Sequence, residues 1–316
     1  MAGGALLAAG GLLAFAAAAR GWQVLAAWWL VLGPATALTF YEPAYVAIQQ
    51  AFPAAARPRA IAVLTLAAGL SGPVFTPATG ALVDSLGWRD ATRVLAGAVA
   101  CAAPVAALFV PRGGPATVRP ARRRALVPDL SPFRHGRLLP FTIGAVLGYG
   151  ALEALVLHRI ARFQELGFSL STVTFWAGLS GLLTLPGRFL LPMLARRARG
   201  TTVFAGVLAV LAVSAALMID GDAPWQMAAS FVLFGVVFGA ALPLRAIVMG
   251  RWTATAVFGT VMGAQAALIA VGRAGTPALT GALHDAFDDY AVAMTLLCAL
   301  LVAGVLLVLA GGRRAE

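Results

Sequence analysis

The chain has 316 residues, of which 61% are hydrophobic and only 11% are charged, with a mean hydropathy of +0.89. Soluble domains have roughly 45–50% apolar and about 25% charged residues, so this composition excludes a pair of soluble domains. All 23 basic residues are arginine and give a net charge of +11, but they lie between apolar runs, which argues against nucleic-acid binding. We therefore predict an all-α, polytopic membrane helix bundle.

The apolar runs follow one another along the whole chain. Crossing the ~30 Å hydrocarbon core takes about 20 helical residues, and lipid leaves backbone groups no partner outside a helix. About ten transmembrane helices are predicted, at residues 2–19, 22–51, 60–84, 91–111, 138–161, 170–195, 202–219, 225–247, 257–281 and 290–310. Most linkers are short, so neighbouring helices are expected to pack antiparallel.

Arginines mark one side of this bundle. They are concentrated in the linkers after the second, fourth, sixth and eighth runs and in the C-terminal tail. The acidic residues of the linkers lie mainly on the opposite side. Because cytoplasmic loops carry the excess of basic residues, we expect both termini in the cytoplasm and a multi-pass location in a bacterial plasma (inner) membrane.

Two segments of the chain repeat. TPATGALVD at 76–84 and TPALTGALHD at 276–285 match with one inserted residue, at the ends of the third and ninth runs. A six-helix period is typical of transporters with parallel halves. We predict an N-terminal half at 1–111, equivalent to helices three to six, a cytoplasmic linker at 112–137, and a C-terminal half at 138–316, equivalent to helices seven to twelve. The first two helices are expected to be missing from the chain.

These segments resemble the major facilitator superfamily of secondary transporters. Arg57 to Arg59, a Gly/Pro-rich helix and LGWRDA at 86–91 resemble its passage from the fourth to the sixth helix. GLSGPVFTP at 69–77 is partly similar to the Gly-Pro motif associated with antiporters, and PGRFLLPMLARRARG at 186–200 resembles the second-half copy of the cytoplasmic loop motif. The resemblance implies alternating access by two six-helix halves.

The ionisable residues Glu42, Glu153 and Arg273 lie within apolar runs. Each costs roughly 2.5–3.5 kcal/mol at mid-membrane on insertion scales, so each needs a reason. Glu42 and Glu153 are the proton-coupling candidates, because burial favours a neutral carboxylate. Arg273 is a substrate-binding candidate that either binds an anion or pairs with a carboxylate. The alternative is a static ion pair. His158 and Arg159 are expected to extend to the outer membrane interface.

Other candidates come from polar, aromatic and helix-bending residues. The further substrate-binding candidates are Tyr41, Tyr45, Tyr149, Trp176 and Gln265. Pro43 follows Glu42 directly, so the second run is expected to kink beside its acid. The candidates for helix bending and gating are Gly69, Gly72, Pro73, Gly187 and Arg188. The alternative for Arg188 is one more positive charge on the cytoplasmic side, and for the other residues it is simple packing or a tolerated kink.

The leading hypothesis is a proton-coupled secondary transporter of a small organic molecule. The Gly-Pro motif favours efflux of amphipathic compounds, whereas Arg273 favours uptake of an organic anion. The alternative is a non-transporting truncated remnant or misassigned gene start of such a transporter. No enzyme is expected, because HExxH, paired-Asp, GxSxG and P-loop patterns are all lacking from the sequence. We expect no catalytic residue, no metal and no cofactor; the expected partners are the substrate, protons and the lipid bilayer.

Overall fold

The computed structural model describes residues 1–110, 133 and 136–313, apart from the side chains at 72, 73, 76, 77, 109 and 196. In these residues the regular structure is helical throughout, which confirms the all-α prediction. The elements are α1 (Ala2–Ala17), α2 (Gly21–Ala26), a π-helical segment (Ala27–Leu32), α3 (Gly33–Thr39), α4 (Tyr41–Ala51), α5 (Arg57–Gly69), α6 (Ser71–Phe109), α7 (Leu138–Glu165), α8 (Leu170–Arg197), α9 (Gly200–Ala216), α10 (Pro224–Phe238), α11 (Ala241–Trp252), α12 (Thr255–Phe287) and α13 (Tyr290–Arg313).

Seven helical stretches in the described residues are long and apolar enough to cross a membrane, so the chain is a multi-pass membrane protein. They are Gly21–Ala51, Ala78–Leu108, Leu138–Glu165, Leu170–Ala195, Pro224–Trp252, Thr255–Phe287 and Tyr290–Arg313. The apolar helices α1 and α9 are shorter. Helix is present in every predicted run, but the number of ten spans and the division into two six-helix halves stay predictions.

The second predicted run is interrupted beside its acidic residue. Phe40 has an extended backbone (φ −75°, ψ −151°) and separates α3 from α4. Pro43 then lies in the first turn of α4, where a missing N–H breaks no helical hydrogen bond. The expected kink is therefore a helix break, and it places Glu42 in the first turn of α4.

The break within α6 lies in the LGWRDA segment. Gly87 has φ 77° and ψ 161°, a conformation that glycine adopts without the steric penalty of a Cβ. This single residue separates the predicted runs at 60–84 and 91–111. Arg89, two residues later, donates to the Ala18 carbonyl at 3.0 Å and so ties α6 to the end of α1.

The chain divides into two compact units, Met1–Arg57 with Leu70–Arg124, and Pro58–Gly69 with Ala125–Glu316. In the first unit, α1 packs along α6 and against α3. In the second, α7 packs against α12 and α13, α9 against α13, and α8 against α10. Most of α5, which the predicted halves assign to the N-terminal half, thus groups with the second unit. The predicted linker at 112–137 lies almost entirely outside the described residues.

Aromatic side chains fill the core of the second unit. The rings of Phe141 and Phe204 pack in a tilted arrangement at 5.5 Å between centroids, and those of Phe163 and Phe231 do so at 5.4 Å. All four side chains are buried. These ring contacts join α7 to α9 and α10, and α7 carries Glu153, Arg159 and Arg162, which are discussed below.

Candidate substrate and proton site

Glu153 and Arg273 lie at similar depths in two neighbouring helices. At 1.5 Å per residue, Glu153 is about 22 Å from the start of α7 and about 18 Å from its end. Arg273 is likewise about 27 Å from the start of α12 and about 21 Å from its end. Both residues therefore fall near the middle of a stretch that is long enough to cross a membrane.

The two side chains form an ion pair. Arg273 donates to the same oxygen of Glu153, Oε2, from Nε at 2.8 Å and from Nη2 at 2.7 Å. The other oxygen, Oε1, makes no hydrogen bond within the described part of the chain. Of the two sequence-based interpretations of Arg273, pairing with a carboxylate is the one whose geometry is present.

Two glycines allow α7 and α12 to approach closely enough for this pair. A Cβ on Gly150 would overlap Thr276 Oγ1, and a Cβ on Gly272 would lie 2.9 Å from the Val146 carbonyl oxygen. Pro277 has no N–H to bond the carbonyl of Arg273, four residues earlier, so α12 lacks one helical hydrogen bond at the paired residue. The contact is close, yet the helix around Arg273 is locally weakened.

The pair is not sealed inside the unit. The side chain of Arg273 is 44% exposed and that of Glu153 is 25% exposed. Charged residues within membrane spans face the bundle interior or a water-filled cavity, because hydrocarbon solvates them poorly. An ion pair with one open carboxylate oxygen at this depth is chemically able to accept a proton and to release the guanidinium.

His158 and Arg159, one turn further along α7, contact neighbouring helices. The two ring nitrogens of His158 lie 3.2 Å from the hydroxyl of Tyr290 and 3.1 Å from the carbonyl oxygen of Pro277. Arg159 Nη1 donates to Ser180 Oγ at 3.2 Å. Both side chains thus have polar or aromatic partners on α8, α10, α12 and α13, and their extension to the interface stays a prediction.

Sequence reasoning did not identify Arg159 as a site residue. Its guanidinium lies over Phe234 at 4.3 Å and over Phe231 at 5.0 Å from the ring centroids. The available signal was an arginine six residues after Glu153 within the same apolar run. Its position near the end of the run favoured the interface interpretation, and its partners are too distant in sequence to be predicted.

Three further substrate-binding candidates also belong to the second unit. Tyr149 is buried, with its ring 6.3 Å from that of Phe204. Gln265 is fully buried and donates from Nε2 to Thr142 Oγ1 at 3.0 Å. Trp176 packs edge-on against Phe175 at 5.8 Å. Tyr149 and Gln265 therefore lie in the helix-packing core, whereas the Glu153–Arg273 pair is partly exposed.

In the first unit, the candidates lie together on α4. Tyr41 and Tyr45 stack at 5.7 Å, and Tyr45 is fully buried. Glu42 lies in the first turn of the same helix, where the helix dipole stabilises an acidic side chain. The carboxylate of Glu42 is thus stabilised by its own helix, whereas that of Glu153 is stabilised by Arg273 of another helix. The roles of all three residues stay predictions.

Two of the gating candidates contact each other. Arg188 Nη1 donates to the Thr65 carbonyl at 3.2 Å, and a Cβ on Gly69 would lie 2.9 Å from Arg188 Cδ. Gly187 lies against α10, where a Cβ would overlap the Val236 carbonyl. Gly72 and Pro73 lie outside the residues whose side chains are described. Arg188 thus joins α8 to α5, and its gating role stays a prediction.

Three solved structures with a similar fold are named as transporters. The human organic anion transporter MFSD10 (TETRAN) is 18% identical with a TM-score of 0.69, and the match covers 97% of this chain and 76% of that one. The E. coli fucose:proton symporter FucP is 12% identical with a TM-score of 0.77, and the match covers 100% of this chain and 83% of that one. A bacterial homologue of the iron transporter ferroportin, in an outward-facing state, is 12% identical with a TM-score of 0.70, and the match covers 98% of this chain and 82% of that one. At these identities the likeness shows the fold alone.

The curated proteins give no match to the chain. A family model described as Major Facilitator Superfamily matches residues 1–228, which is more than half of the chain. This match agrees with the motifs at 69–77, 86–91 and 186–200, with the helical fold and with the solved relatives. It identifies a transporter family and not an enzyme family. The chain belongs to the Major Facilitator Superfamily of membrane transporters.

Proposed function

We propose that the chain is a proton-coupled secondary transporter that moves a small organic molecule by alternating access. It would work in a bacterial plasma (inner) membrane with both termini in the cytoplasm. The observation that carries this proposal is the ion pair between Glu153 and Arg273 near the middle of two membrane-crossing helices. The pair combines a titratable carboxylate, a counter-charge and an open oxygen at one position.

The pair supplies a means of coupling. A proton that binds Glu153 removes the negative charge, so the bonds from Arg273 weaken and the two helices lose an electrostatic link. Without this counter-charge the guanidinium depends on water or on another anion, because hydrocarbon solvates a charged side chain poorly. The protonated and unprotonated forms thus favour different arrangements of α7 and α12, which is the requirement for coupling a proton to a conformational change.

The solved relatives support transport in general. FucP is named as a fucose:proton symporter and MFSD10 as an organic anion transporter, so the fold accommodates both proton coupling and organic substrates. The substrate of this chain does not follow from either relative. The proton coupling rests on Glu153 and Arg273 themselves.

The test uses proteoliposomes that contain the purified full chain and an internal pH dye. They are challenged with a panel of small carboxylates, sugars and amphipathic amines. We expect at least one compound class to drive proton movement with the wild type, and none to do so with Glu153→Gln. Asp285→Asn is the matched control, because the Asp285 side chain is 86% exposed; this variant is expected to behave as the wild type.

Two results would overturn the proposal. Proton movement at the wild-type rate in Glu153→Gln would remove the coupling role of this residue. If no compound drives proton movement in the wild type, the non-transporting alternative is favoured. Correct folding of each variant is checked by size-exclusion chromatography before reconstitution.

A further inference from the structure

Arg159 carries a positive charge that no acidic residue in the described part of the chain balances. In the described residues, its guanidinium donates one hydrogen bond, from Nη1 to Ser180 Oγ, and Nε is buried without a partner. No carboxylate in these residues pairs with it. The charged guanidinium lies beside buried side chains, so a bound anion would supply the counter-charge that it lacks there.

The other arginine at this end of α7 differs in this respect. Arg162, three residues later, bonds two carboxylates, those of Glu165 and Asp289, both at 2.6 Å. Nearer the middle of the helix, Arg273 is balanced by Glu153. Since Arg273 already has its counter-charge, the anion-binding role that the sequence assigned to it fits Arg159 better.

The surroundings of Arg159 are aromatic. Phe231 and Phe234 of α10 lie beneath the guanidinium, and Ser180 of α8 offers a hydroxyl. All three side chains are buried. The attraction of a cation to an aromatic ring offsets part of the desolvation cost but leaves the charge in place. An anion with an apolar or aromatic body would satisfy both features.

We propose that Arg159 and Ser180 bind the carboxylate of an organic monoanion, whose apolar body packs against Phe231 and Phe234. Nε and Nη2 form one edge of the guanidinium plane, and a carboxylate accepts from such an edge in a bidentate manner. Because Nε is covered in this structure, Arg159 or α10 moves when the ligand enters. This assignment rests on the proposed transport function and specifies its substrate class.

The experiment measures ligand-induced thermal stabilisation and Kd with the purified full chain in nanodiscs. The probes are benzoate and 1-naphthoate, with benzamide as the uncharged analogue. We expect both carboxylates to raise the Tm of the wild type and benzamide to leave it unchanged. Arg159→Gln should weaken benzoate binding at least about tenfold, because the bidentate partner is lost. Arg197→Gln, an exposed arginine on α8, is the matched control.

Two further variants keep the test decisive if Arg159→Gln folds poorly. Arg159→Lys keeps the charge but loses the paired donors, so benzoate is expected to bind with intermediate affinity. Acetate serves as a carboxylate probe without an aromatic body. Phe234→Leu should weaken the binding of 1-naphthoate more than that of acetate, since only the aromatic body contacts that ring. Benzoate affinity that is equal in the wild type and both Arg159 variants would overturn the proposal.

The two proposals fail in different ways. Glu153→Gln is expected to bind benzoate normally while losing proton movement, because the carboxylate site lies on another face of α7. If the wild type binds none of the carboxylates but moves protons with another compound class, the anion site is wrong and transport stands. If benzoate binds through Arg159 but no compound drives proton movement, the anion site stands and proton coupling fails.

Discussion

Two arginine sites in the second unit differ in how completely their charges are satisfied. Arg162 at the end of α7 is 4% exposed and donates to the carboxylates of Glu165 and Asp289 and to the carbonyls of Met218 and Ile219. Arg273 near mid-membrane is 44% exposed and bonds one carboxylate oxygen of Glu153. A buried guanidinium with four acceptors holds several elements together. A single, partly exposed ion pair can separate without breaking such a network.

The largest effect on stability is expected at Arg162. Arg162→Ala removes the common partner of two acids and two carbonyls that join α7, α9 and the start of α13. Breaking such a buried pair costs roughly 3–5 kcal/mol, at the lower end here because Asp289 is half exposed. A large drop in Tm by fluorescence-detected size exclusion is the expected result. A drop below about 2 °C would mean that the network is not structural.

The next effect comes from the close approach of α7 and α12. Gly150→Val places its side chain against Thr276 and pushes the helices apart, at a cost of about 1–3 kcal/mol from overpacking. Because the Glu153–Arg273 contact lengthens, proton movement should fall more than stability does. Gly178→Val is the matched control, since no atom lies within 4 Å of a Cβ at that helical glycine. Equal transport by the two variants would show that the approach of α7 and α12 is unimportant.

Removing the mid-membrane arginine sharpens the comparison further. Arg273→Gln is expected to cost about 1 kcal/mol or less, because partly exposed ion pairs contribute little to stability. Proton-driven transport should nevertheless be lost, because protonation of Glu153 then breaks no ion pair with Arg273. Thermal unfolding and the dye assay on one preparation measure both quantities. A Tm loss as large as that of Arg162→Ala would contradict the functional assignment.

The smallest effect concerns acid stability at the Arg162 site. The backbone N–H of Ala291, together with the Arg162 guanidinium, holds the pKa of Asp289 below its usual value. A lowered pKa in the folded state adds stability at neutral pH, which is lost as the pH falls below about 4 through that pKa. Asp289→Asn should therefore be slightly less stable than the wild type at pH 7, and the difference should shrink in acid. A constant difference across pH would contradict this linkage.

The sequence predicted the helices and the ionisable residues within them better than it predicted which side chains contact one another. Each apolar run contains helix, and the break at Gly87 falls between two predicted runs. Glu153 and Arg273 were candidates because a charge in an apolar run needs a reason, and one alternative was that they pair. What the sequence could not predict is which side of each helix packs, because core-facing and lipid-facing residues are equally apolar. The partners of Arg159 and the burial of Gln265 depend on that choice.

The count of spans shows the same physical limit. Apolar composition continues through the breaks at Phe40 and Gly87 and through the short α9, so the predicted runs and the observed helices differ in their bounds. Hydrophobicity reports that a segment prefers lipid, and backbone geometry decides how far it extends. The grouping of α5 with the second unit likewise depends on long-range contacts such as that of Arg188 with Thr65.

The central claim is that Glu153 gains and loses a proton beside Arg273, and infrared difference spectroscopy tests it most directly. Reconstituted protein is titrated from neutral to acidic pH while the carbonyl stretch of protonated carboxylic acids is recorded. We predict a band that is absent from Glu153→Gln and is unchanged in the exposed control Asp285→Asn. Identical difference spectra for the wild type and Glu153→Gln would contradict the account.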